Sequence, residues 1–331
     1  MKAVTFKSKD QPLQFTEVPD PVPKEGEVVI QLKYASLNHL DLWIQKEQVS
    51  EKEVILGSDG SGIVSQIGKG VEASLLGKEV IINPSLYWGN NPLMYSNEYQ
   101  ILGYPTNGTF AEAIVVPQAY VHIKPAHLRF DEAAALPMAA LTAYRALFTK
   151  AGVTAGDNVL ISGIGGGVAL FALQLAIATG AHVYVTSGNE QKIAKAIALG
   201  AVNGFNYKQP AWVTTAKQQA GGFDVIIDSA GGNGFTSLIE VANAGARIVL
   251  FGKTAGPING LSPSPIYNKQ LQIMGTVMGT PQEFSDMLSF YATHRLRPVI
   301  DQTFDLDRIH DAFQYLENGQ HFGKVLLHIH T

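Results

Sequence analysis

The sequence predicts an α/β fold in which a doubly wound parallel sheet accompanies a β-rich domain built as an irregular β-barrel or partly open sheet. Residues 158–252 alternate between apolar strands and helical segments, a pattern typical of right-handed crossovers with helices on both faces of a parallel sheet. Residues 1–121 consist of short strand-like runs separated by turn residues. A glycine cluster at 163–167 joins the first strand of the alternating region to a helix, which indicates a βαβ unit that binds a dinucleotide.

The size and composition are those of a globular protein. The chain has 331 residues, a length typical of two domains, with 46% hydrophobic and 16% charged residues. A net charge of −4 gives no electrostatic reason to expect nucleic acid or an anionic membrane as a partner. The sequence contains no cysteine, which excludes disulfides, thiolate nucleophiles and cysteine-rich zinc sites. No apolar signal segment opens it and no run reaches the roughly eighteen apolar residues of a membrane span, so we expect a cytoplasmic protein.

The glycine cluster lies between a strand at 158–161 and a helix predicted over 168–179, and a second strand at 182–186 completes the βαβ unit. Glycine takes positive φ and lets the backbone approach a pyrophosphate, and a helix N-terminus offers free amides and a positive dipole end. A flexible loop is the alternative reading of the glycines alone, but the flanking strands and helix favour dinucleotide binding. Ala169 replaces the last glycine of the usual fingerprint and is small enough for close packing of helix on strand. The predicted phosphate-binding residues are Gly163, Gly165, Gly166, Gly167 and Val168.

The end of the second strand predicts which nicotinamide cofactor binds. An acidic residue at this place accepts hydrogen bonds from a ribose 2′-hydroxyl and repels a 2′-phosphate. Here Ser187 ends the strand and no acid occurs before Glu190. A hydroxyl turn followed by Lys192 suits a phosphate, so the sequence favours NADPH. An ordinary surface charge is the alternative for Lys192, and Glu190 works against a phosphate.

The remaining elements are less regular. A proline should end a short helix near Leu136, and a longer helix is predicted over 138–150. Residues 84–107 show no periodicity, and a loop of that length is usually functional or disordered. Further helices are predicted at 190–199, 234–243, 281–291 and 306–317, and further strands at 225–228, 247–251, 271–276 and 323–329.

The order of these parts resembles the medium-chain dehydrogenase/reductase superfamily over nearly the whole chain, in particular its zinc-independent quinone oxidoreductases and enoyl reductases. The motifs that carry the resemblance are Asn38-His-Leu-Asp41, the segment Gly57 to Gly62, Leu141-Thr-Ala-Tyr144, the glycine cluster, Asn206-Tyr-Lys208 and Phe322-Gly-Lys-Val325. The resemblance implies a GroES-like β-barrel catalytic domain over 1–122 and 262–331, a Rossmann NADP-binding domain over 123–261, and a substrate cleft between them. It also implies that Ser187, Lys192 and Tyr207 hold the 2′-phosphate. Phe251 and Gly252 complete the predicted cofactor site.

The sequence departs from the zinc-dependent alcohol dehydrogenases of the superfamily at each catalytic ligand. Those enzymes carry Cys where this chain has Asn38 and His-Glu where it has Ser58-Asp59, and their third ligand falls near Met138. No thiolate or imidazole remains at these places, and Ser and Asn are poor zinc ligands, so we expect no metal there. Residues 84–107 resemble the lobe that holds a structural zinc, again without cysteine.

The absence of a zinc Lewis acid favours an electrophilic substrate. Quinones and α,β-unsaturated carbonyls need only hydrogen-bond donors to stabilise the oxyanion or enolate that forms on hydride transfer. By resemblance, Asn38 and Thr142 line the nicotinamide and substrate and are candidate donors. His39 and Tyr87 are candidate proton donors, although His39 equally fits a structural role in the barrel. Asp41 is expected to fix the local backbone or to orient Asn38.

These features together predict an NADPH-dependent, zinc-independent reductase of a quinone or an activated enone. The alternatives are an enoyl-thioester reductase, which should show a basic entrance for coenzyme A, and a nucleotide-binding sensor or structural protein with little turnover. Unpaired backbone groups on the edge strands 247–251 and 271–276 predict a homodimer.

Overall fold

The computed structural model describes residues 1–330, which divide into two compact units. The first unit comprises Met1–Leu141 together with the chain from Gly279 onward, and the second comprises Thr142–Met278. This division moves the predicted domain limits, because residues 123–141 group with the first unit and residues 262–278 with the second. The second shift has a clear cause, since a strand at Gln272–Gly275 extends the parallel sheet of the second unit.

The strands are β1 (Lys2–Ser8), β2 (Gln14–Glu17), β3 (Glu27–Ser36), β4 (Val49–Ile55), β5 (Asp59–Ile67), β6 (Glu79–Ile82), β7 (Ser85–Leu86), β8 (Gln100–Ile101), β9 (Ala113–Pro117), β10 (Val121–Ile123), β11 (Asn158–Ile161), β12 (His182–Ser187), β13 (Asn203–Asn206), β14 (Phe223–Asp228), β15 (Ala242–Leu250), β16 (Gln272–Gly275), β17 (Ile300–Asp305) and β18 (Lys324–His328). The helices are α1 (His39–Glu47), α2 (Phe130–Ala134), α3 (Pro137–Tyr144), α4 (Gly167–Ala178), α5 (Glu190–Ala198), α6 (Trp212–Ala220), α7 (Phe235–Val241), α8 (Pro263–Asn268), α9 (Pro281–His294) and α10 (Ile309–Glu317). Among residues 1–330, no helix combines the length and the apolar character needed to cross a membrane.

The first unit is organised around β3. This strand pairs antiparallel with β5 along one edge, and along the other with β9 and then β18. The resulting sheet runs β10-β6-β5-β3-β18-β17, and β18 pairs parallel with β17. A smaller sheet of order β2-β1-β4 accompanies it. Apolar residues of these strands and of α10 form one continuous core.

The second unit contains the predicted doubly wound sheet. Its six strands are all parallel, in the order β13-β12-β11-β14-β15-β16. The order reverses beside β11, and dinucleotides bind outside the carboxyl ends of the strands at such a reversal. β16 forms one edge of the sheet. The fold class predicted from the sequence is therefore confirmed for this unit.

Local sequence explains where the helices begin. Asn189 caps α5 by accepting hydrogen bonds at Oδ1 from the amides of Gln191 and Lys192. At α9, Thr280 Oγ1 accepts from the amide of Glu283 at 3.0 Å, and the Glu283 carboxylate accepts from the amide of Thr280 at 2.7 Å. The predicted long helix at 138–150 differs in one respect: α3 ends at Tyr144 and the chain continues as a π-helix over Arg145–Lys150.

Candidate cofactor site and buried polar cluster

The glycine loop lies where the sequence places it, between the end of β11 and the start of α4. Gly163 and Gly165 take φ of +65° and +134°, a region that side chains disfavour. Gly166 is the N-cap of α4 and has ordinary φ of −77°. A Cβ atom built on Gly166 would meet nothing within 4 Å, so the space beside this residue is open. Gly167 and Val168 form the first turn of α4, whose amides and positive dipole end suit an anion.

The loop is held by the strands beside it. The amide of Gly163 donates to Thr186 Oγ1 at 3.2 Å, and the amide of Ile164 donates to the Thr186 carbonyl at 2.8 Å. Ser162 Oγ donates to the buried carboxylate of Asp228. These bonds fix the loop to the carboxyl ends of β12 and β14, which preorganises it for a ligand.

Two lysines and a tyrosine converge on the carboxyl end of β12. The Lys192 side chain lies over the glycine loop, because a Cβ atom built on Gly165 would lie 2.8 Å from its Cδ and 3.1 Å from its Nζ. A Cβ atom built on Gly188 would lie 2.7 Å from Lys208 Cε and 2.9 Å from Tyr207 Oη. Lys192 thus lies beside the glycine loop, and Lys208 and Tyr207 lie beside the turn after β12. Ammonium and hydroxyl groups of this kind suit a phosphate.

The one nearby carboxylate is directed elsewhere. Glu190 accepts a hydrogen bond from Asn206 Nδ2 at 2.6 Å, on the neighbouring strand β13. Ser187 is buried, and its Oγ accepts from the amide of Asn189 at 3.2 Å. Ser187 therefore shapes the turn after β12 by bonding its backbone, and Glu190 bonds β13 while it keeps its negative charge.

Phe251 and Gly252 follow β15 at the same edge of the sheet. The amide of Phe251 donates to the carbonyl of Asp228 at 3.1 Å. A Cβ atom built on Gly252 would lie 2.4 Å from the carbonyl oxygen of Ser229, so only glycine fits here. The predicted cofactor residues thus follow the carboxyl ends of β11, β12, β13 and β15, which belong to one parallel sheet.

The first unit contains three buried polar side chains that hydrogen-bond to one another, those of Asn38, Asp59 and Lys324. We refer to them as the buried polar cluster. Lys324 Nζ donates to Asn38 Oδ1 at 2.7 Å and to Asp59 Oδ2 at 3.1 Å. Asn38 Nδ2 donates to Asp59 Oδ2 at 2.9 Å. The same carboxylate accepts from Ser36 Oγ at 3.1 Å and from the amide of Met138 at 2.8 Å. The ammonium is therefore paired and hydrogen-bonded, as a buried charge must be.

Asp41 supports this cluster from the first turn of α1. Its Oδ2 accepts from the amide of Asn38 at 2.7 Å, so it fixes the backbone of that residue. Burial raises the pKa of Asp41 from 3.8 to about 7, and the charge of Asp59 adds to the effect. The hydrogen bond from Asn38 and the charge of Lys324 oppose it.

The donor set at the places of the catalytic zinc ligands does not suit zinc. Zinc in proteins takes thiolate sulfur, imidazole nitrogen or carboxylate oxygen. Of Asn38, Ser58, Asp59 and Met138, only Asp59 offers such a group. Its carboxylate already accepts the four hydrogen bonds described above, one of them from an ammonium that a second cation would have to displace.

The candidate proton donors and the second hydrogen-bond donor lie in separate elements. His39 opens α1, and its ring lies 5.8 Å from that of His321. Tyr87 follows β7 with φ of +56°, and its side chain is 44% exposed. Thr142 is a buried residue of α3 and belongs to the second unit. The structure brings Asn38 together with Asp59 and Lys324.

Aromatic packing organises the lobe formed by residues 84–107. The ring of Trp88 contacts Tyr95 and Tyr99 edge to face, with centroids 5.9 and 5.5 Å apart, and the two tyrosine rings lie 4.7 Å apart. The strands β7 and β8 pair at the base of the lobe. Trp88 and Tyr95 therefore pack against the aromatic residues of their own lobe.

Two lysines of the sites described here were not among the residues predicted from the sequence. Lys324 and Lys208 both lie in motifs that carried the family resemblance, but neither entered the predicted site. For Lys208 the signal was its place next to Tyr207 at the end of a strand neighbouring β12. Lys324 gave no local signal, because its partners lie 265 and 286 positions earlier in the chain.

Comparison with known proteins agrees with this architecture. Residues 24–126 match the alcohol dehydrogenase GroES-like domain, and residues 167–293 match the zinc-binding dehydrogenase domain. The zinc-type alcohol dehydrogenase-like protein YogA of Leptosphaeria maculans is 38% identical over 96% of this chain and 95% of its own length. A solved structure described as an NAD-dependent alcohol dehydrogenase covers 100% of both chains at 36% identity with a TM-score of 0.94. The quinone oxidoreductase of Homo sapiens is 26% identical over 94% of this chain and 92% of its own.

The chain belongs to the medium-chain dehydrogenase/reductase superfamily and is an oxidoreductase of that type, with a GroES-like first unit and a Rossmann-like second unit. The resemblance and the fold class predicted from the sequence are thereby confirmed.

Proposed function

We propose that this protein is an NADPH-dependent reductase of quinones or activated α,β-unsaturated carbonyls that works without a catalytic zinc ion. The observation that carries the proposal is the buried polar cluster. A lysine ammonium already bonds the carboxylate and the amide at the places where a zinc-dependent enzyme holds its metal. Without a zinc ion to polarise a carbonyl group, the enzyme needs a substrate that is electrophilic enough to accept hydride unaided.

The choice of NADPH rests on basic side chains beside the glycine loop and beside Gly188. Lys192, Lys208 and Tyr207 supply two positive charges and a hydroxyl beside the end of β12, where a 2′-phosphate binds in dinucleotide folds. The solved structure that is 36% identical to this chain is described as an NAD-dependent alcohol dehydrogenase. That description concerns the other protein. The side chains of this chain support the phosphorylated cofactor.

The proposed mechanism assigns a separate task to each unit. When bound, NADPH supplies the hydride, and the glycine loop with the first turn of α4 binds its pyrophosphate. Asn38 is held at both ends, since its oxygen accepts from Lys324 and one amide hydrogen goes to Asp59. A carboxamide carries a second N–H, which we assign to the oxyanion or enolate that forms on hydride transfer. Thr142 is the second proposed donor, and His39 and Tyr87 are the proposed proton donors.

The test is steady-state NADPH oxidation by protein treated with a chelator and dialysed. We expect turnover with a simple quinone and with an α,β-unsaturated ketone, little turnover with a saturated aldehyde, and no gain on adding Zn²⁺. A requirement for Zn²⁺ would overturn the zinc-free proposal. Turnover confined to an enoyl-coenzyme A thioester would favour the enoyl-thioester reductase, and binding of NADPH without turnover on any of these would favour a sensor.

We also propose a homodimer joined through β16. This strand is an edge of the parallel sheet, and its pattern of half-exposed residues leaves backbone groups available to a second copy. Light scattering should give twice the mass of one chain. Ile273→Pro, which removes a backbone donor from the edge, should shift the protein to the monomer, and an unchanged mass would contradict this interface.

A further inference from the structure

We propose that Asp305, His328 and His330 form a surface site for a divalent transition-metal cation of the Zn²⁺ type, in the first unit and separate from the buried polar cluster. Their potential ligand atoms all lie within 4.8 Å of one another. Among residues 1–330 this is the one group of three or more His, Asp or Glu side chains that meets this condition. The inference does not rest on the proposed reductase activity.

Strand pairing brings the three residues together. β17 and β18 run parallel with Asp305 opposite His328, so the two side chains leave the sheet on the same face. His330 follows two positions after His328, which returns it to that face. The two imidazole rings lie 4.2 Å apart in an edge-to-face arrangement. The sheet therefore fixes the Cα positions of Asp305 and His328, and His330 lies two residues beyond the end of β18.

The ligand atoms are close to the spacing that a metal needs. Asp305 Oδ1 lies 2.8 Å from His330 Nε2 and 3.5 Å from His328 Nδ1. Bonds of about 2.0–2.2 Å from zinc to nitrogen and oxygen place tetrahedral ligands roughly 3.4 Å apart, so small side-chain rotations suffice. The ring of Tyr34 packs against His328 with centroids 4.9 Å apart and limits how that imidazole turns.

The chemistry of the group selects the class of ion. Two imidazole nitrogens and one carboxylate favour Zn²⁺, Ni²⁺ or Cu²⁺ over Mg²⁺ and Ca²⁺, which take oxygen ligands. The side chains of His328, Asp305 and His330 are 37%, 49% and 68% exposed, and water can complete the coordination.

The site has a consequence for any measurement of metal content. A preparation can contain about one zinc ion per chain at this surface while the places of the catalytic ligands hold none. Metal analysis alone therefore does not report on the catalytic chemistry, and the two questions need separate variants.

The experiment is a calorimetric titration of untagged, chelator-stripped protein with ZnCl₂, since a histidine tag would itself bind zinc. We expect saturable binding of one Zn²⁺ per chain. His328→Asn and His330→Asn should each weaken binding about tenfold or more, and the double variant should abolish it. His294→Asn, at an exposed histidine on α9, is the matched control and should bind as the unmodified protein does.

Visible absorption of the Co²⁺-loaded protein provides a second readout, because a tetrahedral nitrogen and oxygen site gives bands that the double variant should lack. Circular dichroism establishes that the variants are folded. The proposal is overturned if no saturable binding of one ion per chain occurs, or if the double variant binds Zn²⁺ as tightly as the unmodified chain.

Discussion

Lys324 Nζ and Asp59 Oδ2 form an ion pair of 3.1 Å although the residues are 265 positions apart in the sequence. Both side chains are almost fully buried, at 3% and 0% exposure. Taking two charges out of water is expensive, and the pair is tolerated because Asn38, Ser36 and the backbone complete its hydrogen bonds.

Replacing Lys324 should therefore strongly destabilise the first unit. Lys324→Met leaves Asp59 as an uncompensated buried charge, and we expect a loss of about 3–5 kcal/mol in the free energy of unfolding. Urea denaturation measures this loss. The double variant Lys324→Met/Asp59→Asn should lose less than the single variant, because neither charge remains. Equal or additive losses would show that the pair does not act as a unit.

Asp41 should make stability depend on pH. Its pKa is raised in the folded protein from 3.8 to about 7, so the folded state holds its proton more tightly than the unfolded state. The contribution to stability is full below pH 3.8 and is lost as the pH rises toward 7. The shift corresponds to at most about 4 kcal/mol.

Asp41→Asn keeps the acceptor for the amide of Asn38 and removes the titration. The difference in unfolding free energy between the variant and the unmodified protein should therefore grow in favour of the variant between pH 4 and pH 7. A difference that is constant over this window would contradict the raised pKa.

Lys192 beside the glycine loop and Lys208 beside Gly188 should set the cofactor preference. Lys192→Ala and Lys208→Ala should each lower the ratio of kcat/KM for NADPH over NADH about tenfold, the effect of losing one charge-assisted hydrogen bond to the 2′-phosphate. Lys217→Ala, at an exposed lysine of α6 in the same unit, is the control and should leave the ratio unchanged. If neither lysine variant changes the ratio, the 2′-phosphate assignment is wrong.

A substitution at Gly166 should affect ligand binding much more than it affects folding. A methyl group at this residue meets no atom of the chain, so Gly166→Ala should lower the free energy of unfolding by about 1 kcal/mol or less. The same methyl group enters the space proposed for the pyrophosphate and should weaken NADPH binding at least about tenfold. Fluorescence titration with NADPH and thermal unfolding measure the two effects.

Gly165→Ala is the contrasting variant, because its φ of +134° is a backbone conformation that a residue with a Cβ atom disfavours, and the Lys192 side chain would have to move. It should lower both stability and binding. Tight NADPH binding by Gly166→Ala would exclude the glycine loop as the pyrophosphate site.

Local patterns allowed the cofactor half of the fold to be predicted. The helix predicted over 168–179 corresponds to α4 at Gly167–Ala178. Its start could be predicted because glycines and an apolar strand precede it. The strand β13 and the helix α6 were not predicted, since Asn203–Asn206 contains a single buried apolar residue and Trp212–Ala220 is largely polar. Their stability comes from packing on β12 and α7, which no local pattern records.

The polar clusters of the first unit could not be predicted, because they depend on contacts between residues far apart in the sequence. Asn38 and Asp59 were visible as departures from a metal site, but the cation that bonds both lies on β18, far along the chain. The metal group at Asp305 likewise arises from the register of β17 with β18, and β17 was not predicted at all. Sequence motifs thus identified Asn38 and Asp59 as residues of interest, and pairing between distant strands determined which side chains they bond.

The position of β18 has a consequence for how this protein is made. β3 emerges early in synthesis, yet its neighbour β18 is translated only after the entire second unit, with 287 positions between Leu37 and Lys324. A nascent chain therefore exposes the edge of β3 and an uncompensated Asp59 until β18 leaves the ribosome, while the second unit, continuous from Thr142 to Met278, can fold ahead of it. The second unit can therefore complete its fold before the first unit, although the chain of the first unit begins earlier.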